Sequence, residues 1–413
     1  MPIKRIGLLL ISVIFLSGCW DKLEVEKRAY VVGIGLDKGE DGMIKVTFMI
    51  PNPEFASQAQ GGASNVPPKE IITMEANDLI SIKNKANIIV AKTITYDQLQ
   101  FIAVSEELAA DREFIRFIYD ATKDVEIRRD VNLFITKEET AEYFRKTNPK
   151  LELRVHKYFD LIIDHVQRTG FIPSNSELLQ FFRVTEAGSD LFLGIYSTSE
   201  KKENFDWQDK NKIIAGELTY EGATGKTQFA GGAVFKNGKM IGKVTGDEVR
   251  VANLVNNTVT TADDVLASYP DPFDKNQQLA VKINKLHKNK IKMNLKAEKP
   301  LIDVTVPIVV EILSDHSMTN YSLKKNRVIL EKKVKESIEK EFMDFAKKTQ
   351  TEFKAQPFGW SLAARKKFKT LKEYQDYNFQ EKYPDMEVRI HIDMKITDFG
   401  RQKNIPHIKG VSK

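Results

Sequence analysis

The sequence predicts an α+β or mixed α/β protein of three domains, each a mixed or antiparallel sheet packed with helices. Three observations carry this. Helical and extended patterns alternate through the first half, an Asn-Gly hairpin runs into a capped helix near the middle, and the last third places period-two strands around one long amphipathic helix. The expected division is a leader over 1–18, an N-terminal α/β domain over 19–195, a middle domain over 196–285, a sheet-plus-helix domain over 286–400, and a tail over 401–413.

The chain opens with Lys4 and Arg5, an uncharged run from Ile6 to Leu16 that is apolar except at Ser12, and the small residues Ser17 and Gly18, the three-part layout of a secretory signal peptide. At the helical rise that run reaches roughly 16 Å, about half of a ~30 Å hydrocarbon core, too short to remain as a spanning helix. Cys19 follows, the single cysteine of the 413 residues. No internal disulfide is therefore possible, and an exported chain must be held by its core alone. The mature chain of roughly 395 residues exceeds one ordinary core. Removal of Lys4 and Arg5 takes the formal charge from +6 to +4. A surface rich in both Lys and Glu then reads as a solvated mixed-charge face, and nucleic acid is not an expected partner.

Ala29 to Asp37 reads as a strand, Lys38 to Gly42 as a turn, and Met43 to Ile50 as the returning strand. Gly33, Gly35 and Gly39 do not make a dinucleotide loop, because the third glycine is one residue late and a strand, not a helix, follows. Residues 51–70 carry Pro, Gly, Ser, Gln and Asn with almost nothing to bury, and are expected to form a long mobile loop. Leu79, Ile80, Ile82, Ala86 and Ile89 mark one face of a helix over 77–92. Leu99 to Val104 reads as a buried strand, Glu106 to Tyr119 as a helix, Val131 to Ile135 as a strand, and Glu138 to Lys146 as a polar helix.

Further on, Phe229–Phe235 and Met240–Val244 flank Lys236-Asn237-Gly238-Lys239, where Asn-Gly supplies the positive φ angles of a type I′ turn. Thr245 stands three residues before Glu248, the spacing of a capping box, and opens a helix carrying Val249, Ala252, Leu254 and Val255. Ile291, Met293 and Leu295 share one face of a strand, as do Ile302, Val304, Val306 and Ile308 of the next. A helix follows with Leu330, Val334, Ile338, Phe342 and Phe345 on one stripe, and with Glu331–Lys335 and Glu336–Lys340 at ion-pair spacing. Met386 to Thr397 alternates strictly and reads as a strand covered on one face.

Candidate chemistry is sparse. The six histidines, His156, His165, His287, His316, His391 and His407, stand far apart, so no metal site is expected. Ser199-x-x-Lys202 and Ser322-x-x-Lys325 have one β-lactamase-type spacing without its companion motifs. No nucleophile elbow or phosphate loop occurs. Glu106 and Glu107 suit a helix start. Trp360 is expected in the core, and Trp20 is a candidate partner or membrane contact.

Leu16-Ser17-Gly18-Cys19 resembles the lipobox of bacterial lipoproteins, which implies cleavage before Cys19 and a lipid on its side chain. Gly18-Cys19-Trp20-Asp21 with Val32-Gly33-Ile34-Gly35-Leu36-Asp37 resembles the opening of the Ger(x)C spore germination lipoproteins, the C subunits of nutrient germinant receptors. The resemblance continues through Asp124 to Phe134, through Ala233 to Lys243 with Asp247-Glu248, and into Phe358-Gly359-Trp360, so it spans nearly the whole mature chain. Many relatives carry an acidic residue soon after that tryptophan, where this chain has Ser361-Leu362-Ala363-Ala364-Arg365.

The resemblance implies a three-domain protein, lipid-anchored through Cys19 on the outer face of the spore inner membrane. Its implied partners are two integral-membrane receptor subunits, one A-type and one permease-like B-type. No catalytic residue or cofactor is carried over, so the expected function is a non-enzymatic subunit for assembly or signalling in the germination response. The alternative from the residues alone is a solute-binding lipoprotein of a transporter. A cell-wall enzyme is a third class, motivated only by the basic balance.

Overall fold

The computed structural model describes residues 24–398 except 59–66, 203–211, 260–264, 275, 316, 318 and 322. Cys19, the leader, Trp20, His316, Ser322, His407 and the 401–413 tail lie outside the described residues. The expected α+β class, several sheets packed with helices, is what the chain adopts.

The first sheet has eight strands. In chain order the early strands are β1 (Arg28–Tyr30), β2 (Gly33–Lys38), β3 (Ile44–Pro51), β4 (Lys69–Ala76), β5 (Thr93–Thr95), β6 (Phe101–Ser105), β7 (Asn132–Thr136), β8 (Phe192–Thr198), β9 (Gln228–Lys236) and β10 (Lys239–Val244). The eight run in the order β10-β9-β8-β7-β6-β2-β3-β4, while β1 and β5 form a separate parallel pair. The centre, β2-β6-β7-β8, is parallel, and antiparallel strands close both edges. Parallel strands need crossovers that place helices on the faces, so both faces are covered. Phe101 and Ala103 of β6 point into one cluster with Phe134, Tyr143, Phe144 and Phe159. Ile102 and Val104 point into the other, with Phe114, Phe181 and Phe235.

The second sheet has five strands: β11 (Val265–Pro270), β12 (Gln278–Lys285), β13 (Lys290–Asn294), β14 (Leu301–Asp315) and β15 (Glu387–Asp398). Its path is β11-β12-β14-β13, with β15 pairing parallel to β14. One face buries Val304, Val306, Ile390 and Ile392 against the helix Lys324–Lys348, whose Leu330, Val334, Ile338, Phe342 and Phe345 form the expected stripe. The capped helix Gly246–Val255 belongs to the same core and also packs on β9, so it stands between the two sheets. The expected middle stretch 196–285 therefore contributes to both: its hairpin β9-β10 extends the eight-stranded sheet, β11 and β12 lie in the five-stranded one, and the position 195/196 falls inside β8.

Several elements differ from expectation for local reasons. The stretch 51–70 is not simply a loop: Pro53–Gln58 is helical, and β4 begins at Lys69, paired to Pro51. The helix expected over 77–92 is confined to Ser81–Ala86. The Asp78 carboxylate accepts from the Ile80 and Ser81 amides at 2.9 and 2.6 Å and opens it, and the Asn87 side chain accepts from the Ile94 amide at 2.8 Å, bending the chain into β5. The helix expected over 106–119 splits into Glu106–Ala109 and Phe114–Asp120, because Asp111 turns the chain by accepting from the Glu113 amide. On the long helix, Glu331 pairs with Arg327 and Glu336 with Lys333, while Lys335 reaches Glu339, so the available i,i+3 and i,i+4 partners on the other side are taken instead of Lys335 and Lys340.

Candidate functional site

Two places gather polar groups around apolar walls.

The first is an open cavity of about 710 Å³ beside the start of the described chain. Its walls come from the first turn Val25–Lys27 and β1, the end of β3, the helix at Pro53, the turn 90–92 before β5, and the first residues of the helix Val155–Thr169. Val25, Ala29, Val32, Ile50, Phe55 and Val90 supply most of the apolar lining. The two arginines there are held by neighbours: Arg28 donates to Asp97 at 2.7 Å, and Arg154 grips Glu152 through two bonds of 2.8 Å. That fork holds the Glu152 carboxyl well below its ordinary range, at about 2. Burial, and then the charge of Arg154, pushes His156 below its ordinary value, so the ring favours its neutral form. The cavity combines an apolar body with a few polar tips, suited to holding an apolar group rather than to nucleophilic attack.

The second place joins the two sheets. Asn256 donates to the Pro357 carbonyl at 3.0 Å, and the Gln356 carbonyl accepts from the Leu191 amide at 2.8 Å. The buried Gln356 side chain accepts from the Phe358 amide at 2.6 Å and donates to Asp190, which also accepts from the Ser361 hydroxyl at 2.5 Å. Enclosure lifts the Asp190 carboxyl to about 6 in spite of those bonds. Gly359 turns the chain at φ +68°, where a Cβ would press on Thr258 and Asn256 at 2.9 and 3.0 Å. That turn drops Trp360 into the core at 0 % exposure, against Phe358 and Tyr383. The core role expected for Trp360 is therefore the observed one. Ser361, just after the tryptophan, donates to the carboxylate of Asp190, which lies shortly before β8.

The capped helix, which follows the hairpin, packs between the two sheets. Asn237 and Gly238 have φ of 52° and 78°, as a type I′ turn requires. The Thr245 hydroxyl accepts from the Glu248 amide while the Glu248 carboxylate accepts from the Thr245 amide, completing the capping box. Glu248 also accepts from Lys348 at 2.9 Å. Behind it, Arg250 donates to Asp247 and to the Leu266 carbonyl, tying the helix to β11.

The other candidates do not assemble. Ser199 is buried and donates to Glu138, leaving no open approach for a substrate. His165 stands on the helix Val155–Thr169, His287 is exposed beside Lys288, and His391 lies 3.9 Å from Asp303 on β15. Among the described residues no three His, Cys, Asp or Glu side chains cluster as metal ligands, and no helix is long and apolar enough to cross a membrane. The cavity and the Asp190–Gln356 link were not foreseen. Their residues come from segments up to 171 positions apart, as Ser361 is from Asp190, so no linear spacing marks them.

Comparison with known proteins decides the family. Residues 21–198 match the model of the spore germination protein N-terminal domain, and residues 230–400 match the model described as spore germination B3/GerAC like, C-terminal. The chain belongs to the Ger(x)C family. Spore germination protein B3 of Bacillus subtilis (strain 168) is 23 % identical over 96 % of this chain and 98 % of its own length. Spore germination protein KC of the same organism is 31 % identical over 33 % of this chain and 34 % of its own. The crystal structure of the GerBC protein superposes with a TM-score of 0.52 at 18 % identity, covering 88 % of this chain and 96 % of that one, and so shares the fold. Of the family's motifs, Gly33 and Gly35 lie in the buried strand β2, the Asn-Gly hairpin closes the edge of the eight-stranded sheet, and Phe358-Gly359-Trp360 makes the junction.

Proposed function

We propose that this chain is a non-enzymatic, lipid-anchored subunit of a spore nutrient germinant receptor, working beside an A-type and a permease-like B-type integral-membrane subunit. The observation that carries the proposal is the sequence of features along one chain: a lipobox at Cys19, then two spore germination domains matched end to end over 21–198 and 230–400. Cleavage before Cys19 would leave the lipid on the first mature residue, on the outer face of the spore inner membrane. The folded part would then act as a rigid extension through which assembly or signalling passes. The buried links of Asp190, Gln356 and Ser361 support that reading, because satisfied buried polar groups fix one relative arrangement of two packed units.

The lipid is tested by Cys19→Ala, which should abolish acyl labelling and leave the precursor uncleaved or the protein released; unchanged labelling would refute the assignment. The partners are tested by purifying the protein from spore membranes in mild detergent. A permease-like subunit should accompany it, and its consistent absence would refute the receptor reading. The solute-binding alternative would require tight binding of one nutrient and loss of its uptake on deletion.

A further inference from the structure

The end of the molecule nearest Cys19 carries exposed aliphatic side chains. Val25, in the first described turn, is 70 % exposed, and Ile88 and Ile89, at the tip of the turn after the helix Ser81–Ala86, are 86 % and 64 % exposed. These two segments lie at one end of the fold, because β1 and β5 pair in parallel with Arg28 opposite Thr93, and each segment leads directly into one of them. Val25 and Val90 also line the mouth of the same cavity. The isoleucine tip is not a frayed loop: the Ile88 and Ile89 amides donate to the carbonyls of Lys85 and Ala86 at 3.1 and 3.0 Å, and Asn87 is tied to Ile94. A turn ordered by its own backbone thus holds two large apolar side chains out of the core, where they gain nothing from folding.

Distance says what covers them. Four residues separate Cys19 from Glu24, so an extended tether brings Glu24 within about 18 Å of the lipidated sulfur. The headgroup layer on one side of a bilayer is itself roughly 5–8 Å deep. A protein held on so short a tether cannot place its β1 end far from the headgroups. Lys85 and Lys92, both exposed, flank the isoleucine tip at the level where anionic phosphates would lie.

We propose that the Ile88–Ile89 turn, with Val25 and the flanking Lys85 and Lys92, docks onto the surface of an anionic phospholipid bilayer, the isoleucines entering the interface and the lysines meeting the phosphates. The site rests on the reading of Cys19 as lipidated. A lipid at one point of the chain leaves orientation free, whereas an anchor plus a second apolar contact presents one face to neighbouring membrane proteins.

The test uses the full chain. Cys19 is the only cysteine, so once it is acylated, Ile88→Cys provides one thiol for an environment-sensitive fluorophore. Leu371→Cys, exposed on a helix that packs with the five-stranded sheet's core, is the reference. Both proteins are acyl-labelled, purified and reconstituted into phosphatidylglycerol–phosphatidylcholine vesicles with and without nitroxide lipids. The probe at 88 should shift to shorter wavelength and lose most of its emission to the nitroxide lipid, while the probe at 371 should do neither. Acyl label present with a water-like probe at 88 would overturn the docking site and leave the anchor standing. Acyl label absent would overturn both. Equal quenching at 88 and 371 would also overturn it, since the contact would then not be specific to this end.

Discussion

The two sheets bury their strands differently. In the eight-stranded sheet every residue of β6 is buried, and β2, β7 and β8 are nearly continuous, because helices cover both faces of a parallel centre. In the five-stranded sheet β12 and β14 alternate buried and part-exposed residues, because one face packs on the helix Lys324–Lys348 and the other meets solvent. Neighbouring residues on a strand therefore have equal structural weight in the first sheet and opposite weight in the second. The difference also separates roles: the first sheet carries the end nearest the proposed anchor, and the second joins it through the capped helix and a polar, aromatic junction.

The largest expected effect is at that junction. Trp360→Ala should cost about 3–5 kcal/mol, because the ring is enclosed and its cavity cannot collapse around fixed neighbours. Chemical denaturation would show it, and a two-step unfolding curve in this variant, with the eight-stranded sheet surviving, would show that the junction helps to couple the halves. A loss under 1 kcal/mol would contradict the packing described here.

The two burial patterns are tested by neighbouring pairs. Phe101→Ala and Ile102→Ala point to opposite faces of β6, and both should cost about 2–5 kcal/mol. On β15, Ile390→Ala should cost a similar amount while His391→Ala, exposed on the open face, should stay within about 0.5 kcal/mol. Equal losses at 390 and 391 would mean that the second sheet is covered on both faces.

A pH profile sharpens the link between the sheets. Enclosure raises the Asp190 carboxyl from 3.8 to about 6, so between those values the folded state holds a proton that the unfolded chain has released. That group's contribution is present at the acid end of the window and is lost as pH rises through it, with a slope of at most about 1.4 kcal/mol per pH unit. Asp190→Asn should flatten this part of the stability profile and keep the acceptor for Ser361. An unchanged slope would show that Asp190 titrates normally. A smaller loss than in the cores is expected at the cap: Thr245→Ala removes the acceptor for the Glu248 amide and should cost about 1 kcal/mol.

The same contrast explains what could be read from the sequence. The strands of the open sheet announce themselves by strict alternation, as Met386 to Thr397 does, and the hairpin and capping box are marked by residue types that only their geometry favours. The doubly covered strands carry no period, so no pattern marks β8, and the helix Val155–Thr169 buries only Val155, Phe159 and Ile163, too sparse a stripe to stand out in the sequence. Helix limits failed where a side chain captured the backbone, at Asp78, Asn87 and Asp111. The proposed anchor rests on a short linear motif ending at Cys19. The cavity and the Asp190–Gln356–Ser361 link were not legible, because each exists only after distant segments meet.

The proposed role is that of a lipid-anchored receptor subunit. Its most direct test is nutrient-triggered dipicolinate release from spores in which sister receptor genes are deleted and this chain is either wild type or Cys19→Ala, with growth and solute uptake measured in parallel. The account predicts a strong loss of the nutrient response in the Cys19→Ala spores with growth and uptake unchanged. A normal response with impaired uptake of the nutrient would contradict it and favour a solute-binding lipoprotein.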